Sequence, residues 1–124
     1  MNAKHNPSAL ERFPLDYLRE LAFFGALPDE VITHLMDMGE IFELDNGHVL
    51  YDTGSKPEAF HIILSGQISL YREYLGKSVL TRTYEAGEQV GFAAILALHD
   101  HKGAAVAEGE TWILSITSKQ FFTM

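Results

Sequence analysis

Phe60-His61-Ile62-Ile63-Leu64, then Ser65-Gly66, then Gln67-Ile68-Ser69-Leu70-Tyr71 is the stretch on which the fold turns. Both runs are short and rich in β-branched and aromatic residues, and a Ser-Gly turn signal separates them. That pattern belongs to strands. The same rhythm extends in both directions. Ile41-Phe42-Glu43-Leu44 and His48-Val49-Leu50-Tyr51 precede it; Val79-Leu80-Thr81-Arg82-Thr83-Tyr84, Ala104-Ala105-Val106-Ala107 and Thr111-Trp112-Ile113-Leu114-Ser115-Ile116 follow. Asp45-Asn46-Gly47, Asp52-Thr53-Gly54, Leu75-Gly76-Lys77 and Ala86-Gly87 supply turns between them. Asn46-Gly47 is the strongest hairpin signal, because a tight hairpin needs positive φ at its central residues. Short strands with frequent turns predict a mainly β sandwich, roll or barrel.

Before residue 40 the period is helical. Leu15, Leu18 and Leu21 recur at three-residue spacing beside Tyr17, and Gly25 is expected to break that helix. Pro28-Asp29-Glu30 opens a second, with proline in the first turn and acids where the helix dipole favours them. Val31, Ile32, Leu35, Met36 and Met38 form its apolar stripe, and Gly39 ends it. Gly91-Phe92-Ala93-Ala94-Ile95-Leu96-Ala97-Leu98 is poor in β-branched residues, which predicts a short helix among the strands. Another begins near residue 118, with Ser118 as its cap.

With 124 residues, one domain is expected. Nine Lys and Arg against 17 Asp and Glu give a net charge of −8, which opposes bulk attraction to nucleic-acid phosphates or anionic lipid. The absence of cysteine removes disulfides, thiolate metal sites and thiol nucleophiles. The longest apolar run, Phe92 to Leu98, is seven residues, too short to span a bilayer, and residues 1–7 carry no signal-peptide core. A soluble, cytoplasmic domain is expected, with no membrane partner.

Four segments stand in a specific order: Phe24-Gly25-Ala26-Leu27-Pro28; Gly47-His48-Val49-Leu50-Tyr51-Asp52-Thr53-Gly54; Phe60 through the Leu64-Ser65-Gly66 run to Ile68; and Ala86-Gly87-Glu88-Gln89-Val90-Gly91. Across residues 20–123 this arrangement resembles the cyclic nucleotide-binding domain of the catabolite-activator/fumarate-nitrate-regulator (Crp/Fnr) superfamily. The resemblance implies a double-stranded β-helix, a jelly-roll-like β-roll, with flanking N-terminal helices and a short helix in the phosphate-cassette region. Residues 1–13 are expected to be a loose segment and 14–124 the domain, ending where a dimerisation helix and DNA-binding domain would follow. It further implies a ligand cassette, here Gly91, Phe92, Ala93 and Ala94 with His101, Lys102, Gly103, Ala104 and Ala105.

In the family, amides at the helix N-terminus face the cyclic phosphate, an arginine pairs with its charge, and a glutamate accepts the ribose 2′-hydroxyl. Here Phe92 stands at the glutamate position, and His101 or Lys102 at that of the arginine. No arginine follows Arg82. A cyclic nucleotide is therefore the ligand the resemblance suggests and the one the cassette residues disfavour.

Of six histidines, only His99-Asp100-His101 cluster. With Glu108 downstream they invite comparison with cupin-like metal-binding proteins, but the spacing fits poorly, so a solvated loop and no metal are expected. His61, inside an apolar run, reads as a packed histidine, and Trp112 as core or a hinge contact. No nucleophile elbow, Walker loop or carboxylate pair is present, so no catalytic residue and no enzyme are expected. The leading expectation is a sensory or regulatory domain, such as the effector domain of a Crp/Fnr-type transcriptional regulator. Its diverged pocket would suit a small anionic ligand, a homodimer is compatible with it, and this chain alone would bind no DNA. The alternative is a ligand-free protein-interaction module in which Phe92 fills the pocket.

Overall fold

The computed structural model describes residues 4–5 and 12–123. Its strands are β1 (Lys4–His5), β2 (Glu40–Leu44), β3 (Val49–Tyr51), β4 (Ala59–Tyr74), β5 (Lys77–Glu85), β6 (Gln89–Val90) and β7 (Ala104–Thr117). The helices among the described residues are α1 (Leu15–Glu20), α2 (Asp29–Met38), α3 (Phe92–Ala97) and α4 (Ser118–Phe122). All pairing is antiparallel.

Two long, bent strands make the roll. The first half of β4 pairs with the end of β7, Ala59 opposite Thr117, while its second half pairs with the start of β7, Tyr71 opposite Ala104. β1, β2 and β6 extend the first layer, and β3 and β5 the second. The bend lies where the register shifts, at Ser65 to Gln67 facing Trp112 and Glu108. Gly66 (φ +94°) makes it possible, since a Cβ there would lie 2.6 Å from the Glu110 carbonyl oxygen and from Thr111 Oγ1. Ser65-Gly66 is thus a corner within one strand, not a turn between two. The same correction applies to 104–107 and 111–116, which form one strand passing through Gly109 (φ +77°).

Asn46-Gly47 is not a hairpin either. Gly47 has the positive φ, but β2 and β3 both pair with β7 rather than with each other. The Asn46 side-chain carbonyl instead accepts from the Gly109 amide at 2.7 Å, and the Gly47 amide donates to the Ala107 carbonyl. The true two-residue hairpin is Leu75-Gly76, both at positive φ.

The first layer is buried on both faces, which explains its near-continuous apolar sequence. Phe60, Ile62 and Leu64 face the helices and pack with Leu18, Phe24, Ile32, Leu35 and Met36. Ile63 faces the roll interior with Leu44, Ile68, Val90, Ala105, Ala107 and Ile113.

Several local expectations are corrected. α1 ends at the Leu21 cap, before Gly25. Pro28 is the N-cap of α2, and Thr117 rather than Ser118 caps α4: its hydroxyl accepts from the Gln120 amide, and Gln120 Oε1 accepts from the Thr117 amide, 3.0 Å each. Within the segment expected to be loose, Lys4 and His5 pair with Glu43 and Phe42, and Phe13 is buried beside Trp112. Residues 1–3 and 6–11 of that segment lie outside the described residues. Trp112 is core.

Candidate ligand-binding site

β6 delivers the chain to Gly91, whose φ of +92° turns it into α3; Leu98, also left-handed, ends the helix. The loop 99–103 then returns to β7 across the mouth of the roll. Two backbone bonds strap it to the loop after β3: the Gly54 amide donates to the His101 carbonyl at 2.8 Å and the His101 amide to the Ser55 carbonyl at 2.9 Å. The His101 imidazole is buried and stacks on Tyr51, ring centroids 3.6 Å apart and planes 9° from parallel. The His99-Asp100-His101 loop is therefore only partly solvated. Among the described residues no group of three or more His, Asp or Glu could hold a metal ion.

A cleft of about 440 Å³ opens beside this stack, lined by Val49 to Asp52, Ser55, Lys56, Glu58, Ala59, His61 and His101. His61 shares a 2.7 Å hydrogen bond between its Nδ1 and Ser115 Oγ. Burial pushes its imidazole down to about 4, and neighbouring His101 adds to the effect. Burial also lowers His101, helped by His99 and opposed by Asp100. Tyr51 is raised to about 12, chiefly by burial. All three rings are thus neutral near pH 7, and the charges lining the cleft are Lys56, Asp52 and Glu58.

The cassette residues divide. Gly91 lies against His101, a Cβ there meeting its Cε1 at 3.6 Å. Ala105 lies opposite Tyr51 and belongs to the interior core, and Ala104 pairs with Tyr71. Gly103 is pressed against the Tyr71 carbonyl, which a Cβ would meet at 2.8 Å. Ala94 is buried, whereas Ala93 and Lys102 are exposed, and Lys102 does not line the cleft. Phe92 does not fill the pocket. Its ring packs edge-on against Phe60 (4.9 Å) and Phe121 (5.0 Å) on the helix side of the first layer. Its amide, a donor expected to face a phosphate, is already bonded to Gln89 Oε1 at 3.3 Å. Sequence reading missed the β3 side of the cleft, from Tyr51 to Glu58. Its one signal was the unusually long polar connection 52–58 between two strands.

A two-layer roll with a helix-bearing loop closing one mouth defines a ligand-domain architecture, and comparison with known proteins names it. The family model for the cyclic nucleotide-binding domain matches residues 41–124. The chain belongs to the cyclic nucleotide-binding domain family. An uncharacterized protein of Haemophilus influenzae is 36% identical over 55 residues, which is 44% of this chain and 43% of that protein. The regulatory subunit of a cAMP-independent protein kinase A from Trypanosoma brucei superposes with a TM-score of 0.80 at 20% identity, over 94% of this chain and 42% of that one. The catabolite activator protein of Thermus thermophilus gives 0.75 at 20% identity, over 82% and 48%. The chain thus spans less than half the length of each of these proteins. Among the described residues no helix is long and apolar enough to cross a membrane.

Proposed function

We propose that this domain is a regulatory module that senses a small molecule in the roll cleft without using a cyclic phosphate as its main handle. One observation carries the reading: the cassette's polar handles are turned elsewhere. Phe92 replaces the ribose acceptor and is packed against Phe60 and Phe121, its amide is held by Gln89, and Lys102 is in solvent. What remains at the cleft is a stacked Tyr51–His101 pair and neutral His61, a surface suited to a flat, hydrogen-bonding ligand. Family membership and the roll support regulation rather than catalysis.

Titration calorimetry with cAMP, cGMP and a cyclic dinucleotide tests this. The unmodified chain should bind cAMP weakly or not at all. Phe92→Glu with Lys102→Arg puts the family's residue types back at the cassette positions but, with residue 92 turned toward Phe60 and Phe121 and residue 102 in solvent, should leave cAMP binding no stronger. Micromolar or tighter cAMP binding by the unmodified chain refutes the reading. A second reading, a ligand-free interaction module, is favoured by the exposed apolar side chains Leu96, Leu98 and Phe122 on and beside α3 and on α4. It prevails if no small molecule in a thermal-shift panel raises the melting temperature.

A further inference from the structure

The roll contains a second pocket that the cassette does not reach. It measures about 290 Å³ and is bounded by Phe42 and Leu44 of β2, His48 before β3, Val49 and Leu50 of β3, Ile113 and Ser115 of β7, and His61 of β4. Its walls are mainly apolar, and no Asp, Glu, Lys or Arg lines it, whereas the adjoining cleft has Asp52, Lys56 and Glu58. The two spaces meet at Val49, Leu50 and His61, which line both.

His61 sets the chemistry of this junction. Its Nδ1 is committed to Ser115 Oγ, and among the described residues nothing hydrogen-bonds to Nε2. A neutral imidazole tied down at one nitrogen offers the other as donor or acceptor, depending on which way the Ser115 hydroxyl proton points. Entry is available past β3, a three-residue strand whose register on β7 shifts between Val49 and Tyr51, with Val49 exposed. Such a weakly paired wall opens at low cost.

We propose that this pocket binds a small uncharged aromatic or heteroaromatic compound, its ring among Phe42, Leu44, Leu50 and Ile113 and a hydroxyl or ring N–H bonded to His61. The proposal rests on the sensing reading above and adds the class of ligand. The volume suits one or two fused rings and falls at the small end of ligand pockets. A carboxylate or phosphate would lose its hydration here and meet no Lys or Arg, only the imidazoles of His48 and His61.

Titration with indole, and with indole-3-carboxylate as its anionic counterpart, followed by methyl and histidine-ring NMR, decides the matter. Indole should shift the His61 ring and the Leu50 and Ile113 methyls with a Kd on the order of 0.1–1 mM, the range for a fragment of this size. The carboxylate should bind about tenfold more weakly or worse. Leu50→Trp fills the pocket from β3 and Ser115→Leu from β7; each should raise the indole Kd about tenfold or more. If a variant fails to fold, the methyl shifts of the unmodified chain decide alone. Indole that leaves Ile113 unmoved, or a carboxylate that binds equally well, overturns the proposal. If a nucleotide or nucleoside shifts Tyr51 and His101 in that case, the sensing reading survives while the pocket does not. Silence of both sites toward every compound overturns both.

Discussion

Acidification should destabilise this domain in a way traceable to one side chain. Folded His61 is held at about 4, mainly by burial, against 6.5 for a free imidazole. Between those values the unfolded chain binds a proton that the folded chain does not, so stability is full above pH 6.5 and is lost as pH falls toward 4. The linkage amounts to about 2 kcal/mol by pH 5 and about 3 kcal/mol by pH 4, a large share of a small domain's stability. The titratable groups that share the two cavities lined by His61 are His101, whose own titration is also depressed, with Tyr51, Asp52, Lys56 and Glu58 in the cleft and His48 in the smaller pocket. Carboxylate titration contributes below pH 5, so the discriminating comparison is with His61→Gln. The variant should start about 1 kcal/mol less stable from the altered bond to Ser115, and lose much less between pH 7 and 5. Urea unfolding at half-unit pH steps measures both curves. Parallel curves, or an NMR titration placing folded His61 near 6.5, would refute the reasoning.

Other substitutions test the architecture. Gly66→Ala should cost at least about 3 kcal/mol because its Cβ meets backbone and Thr111 at 2.6–2.8 Å, whereas Gly47→Ala, with open space around it, should cost about 1 kcal/mol. Chemical denaturation compares the two directly. Leu75→Asn should stabilise by about 0.5–1 kcal/mol, since Leu75 is fully exposed at φ 53° in a turn that favours Asn-Gly, and a rise in melting temperature would show it. Phe92→Ala should cost about 2–3 kcal/mol by breaking the cluster with Phe60 and Phe121; a neutral result in a thermal melt would mean the ring lies elsewhere.

The strand content was legible because period and turn residues are local properties. The run Phe60 to Leu64 and the glycines at 47, 76, 87 and 91 have the local conformations their sequence demands. What the sequence could not convey was pairing. Asn46-Gly47 has a hairpin's backbone, yet its flanking strands find β7 because burial of Leu44 and Leu50 against Ala105 and Ala107 decides the partner. Ser65-Gly66 looks like a turn because a corner in a continuous strand needs the same φ. At the site, His101 was identifiable from the cassette, and His61 as a packed histidine. The side that Phe92 faces was not legible, since Phe121 lies far along the chain and only the tertiary fold sets it beside Phe60. Nor could the sequence place His61 between two cavities.

The doubled-back pairing of β4 with β7 has a consequence for how the polypeptide is made. As synthesis proceeds from the N-terminus, β4 leaves the ribosome well before β7, and the hairpin to β5 satisfies only its second half. The stretch Ala59 to Ile63 must wait with an unpaired edge until Ile113 to Thr117 arrives. Pairing across such long separations is slow because loop closure precedes any gain from contact. During that interval one of the most apolar edges in the chain is open to a neighbouring nascent chain, which makes the yield of soluble protein more sensitive to temperature and expression rate than the finished domain's stability suggests.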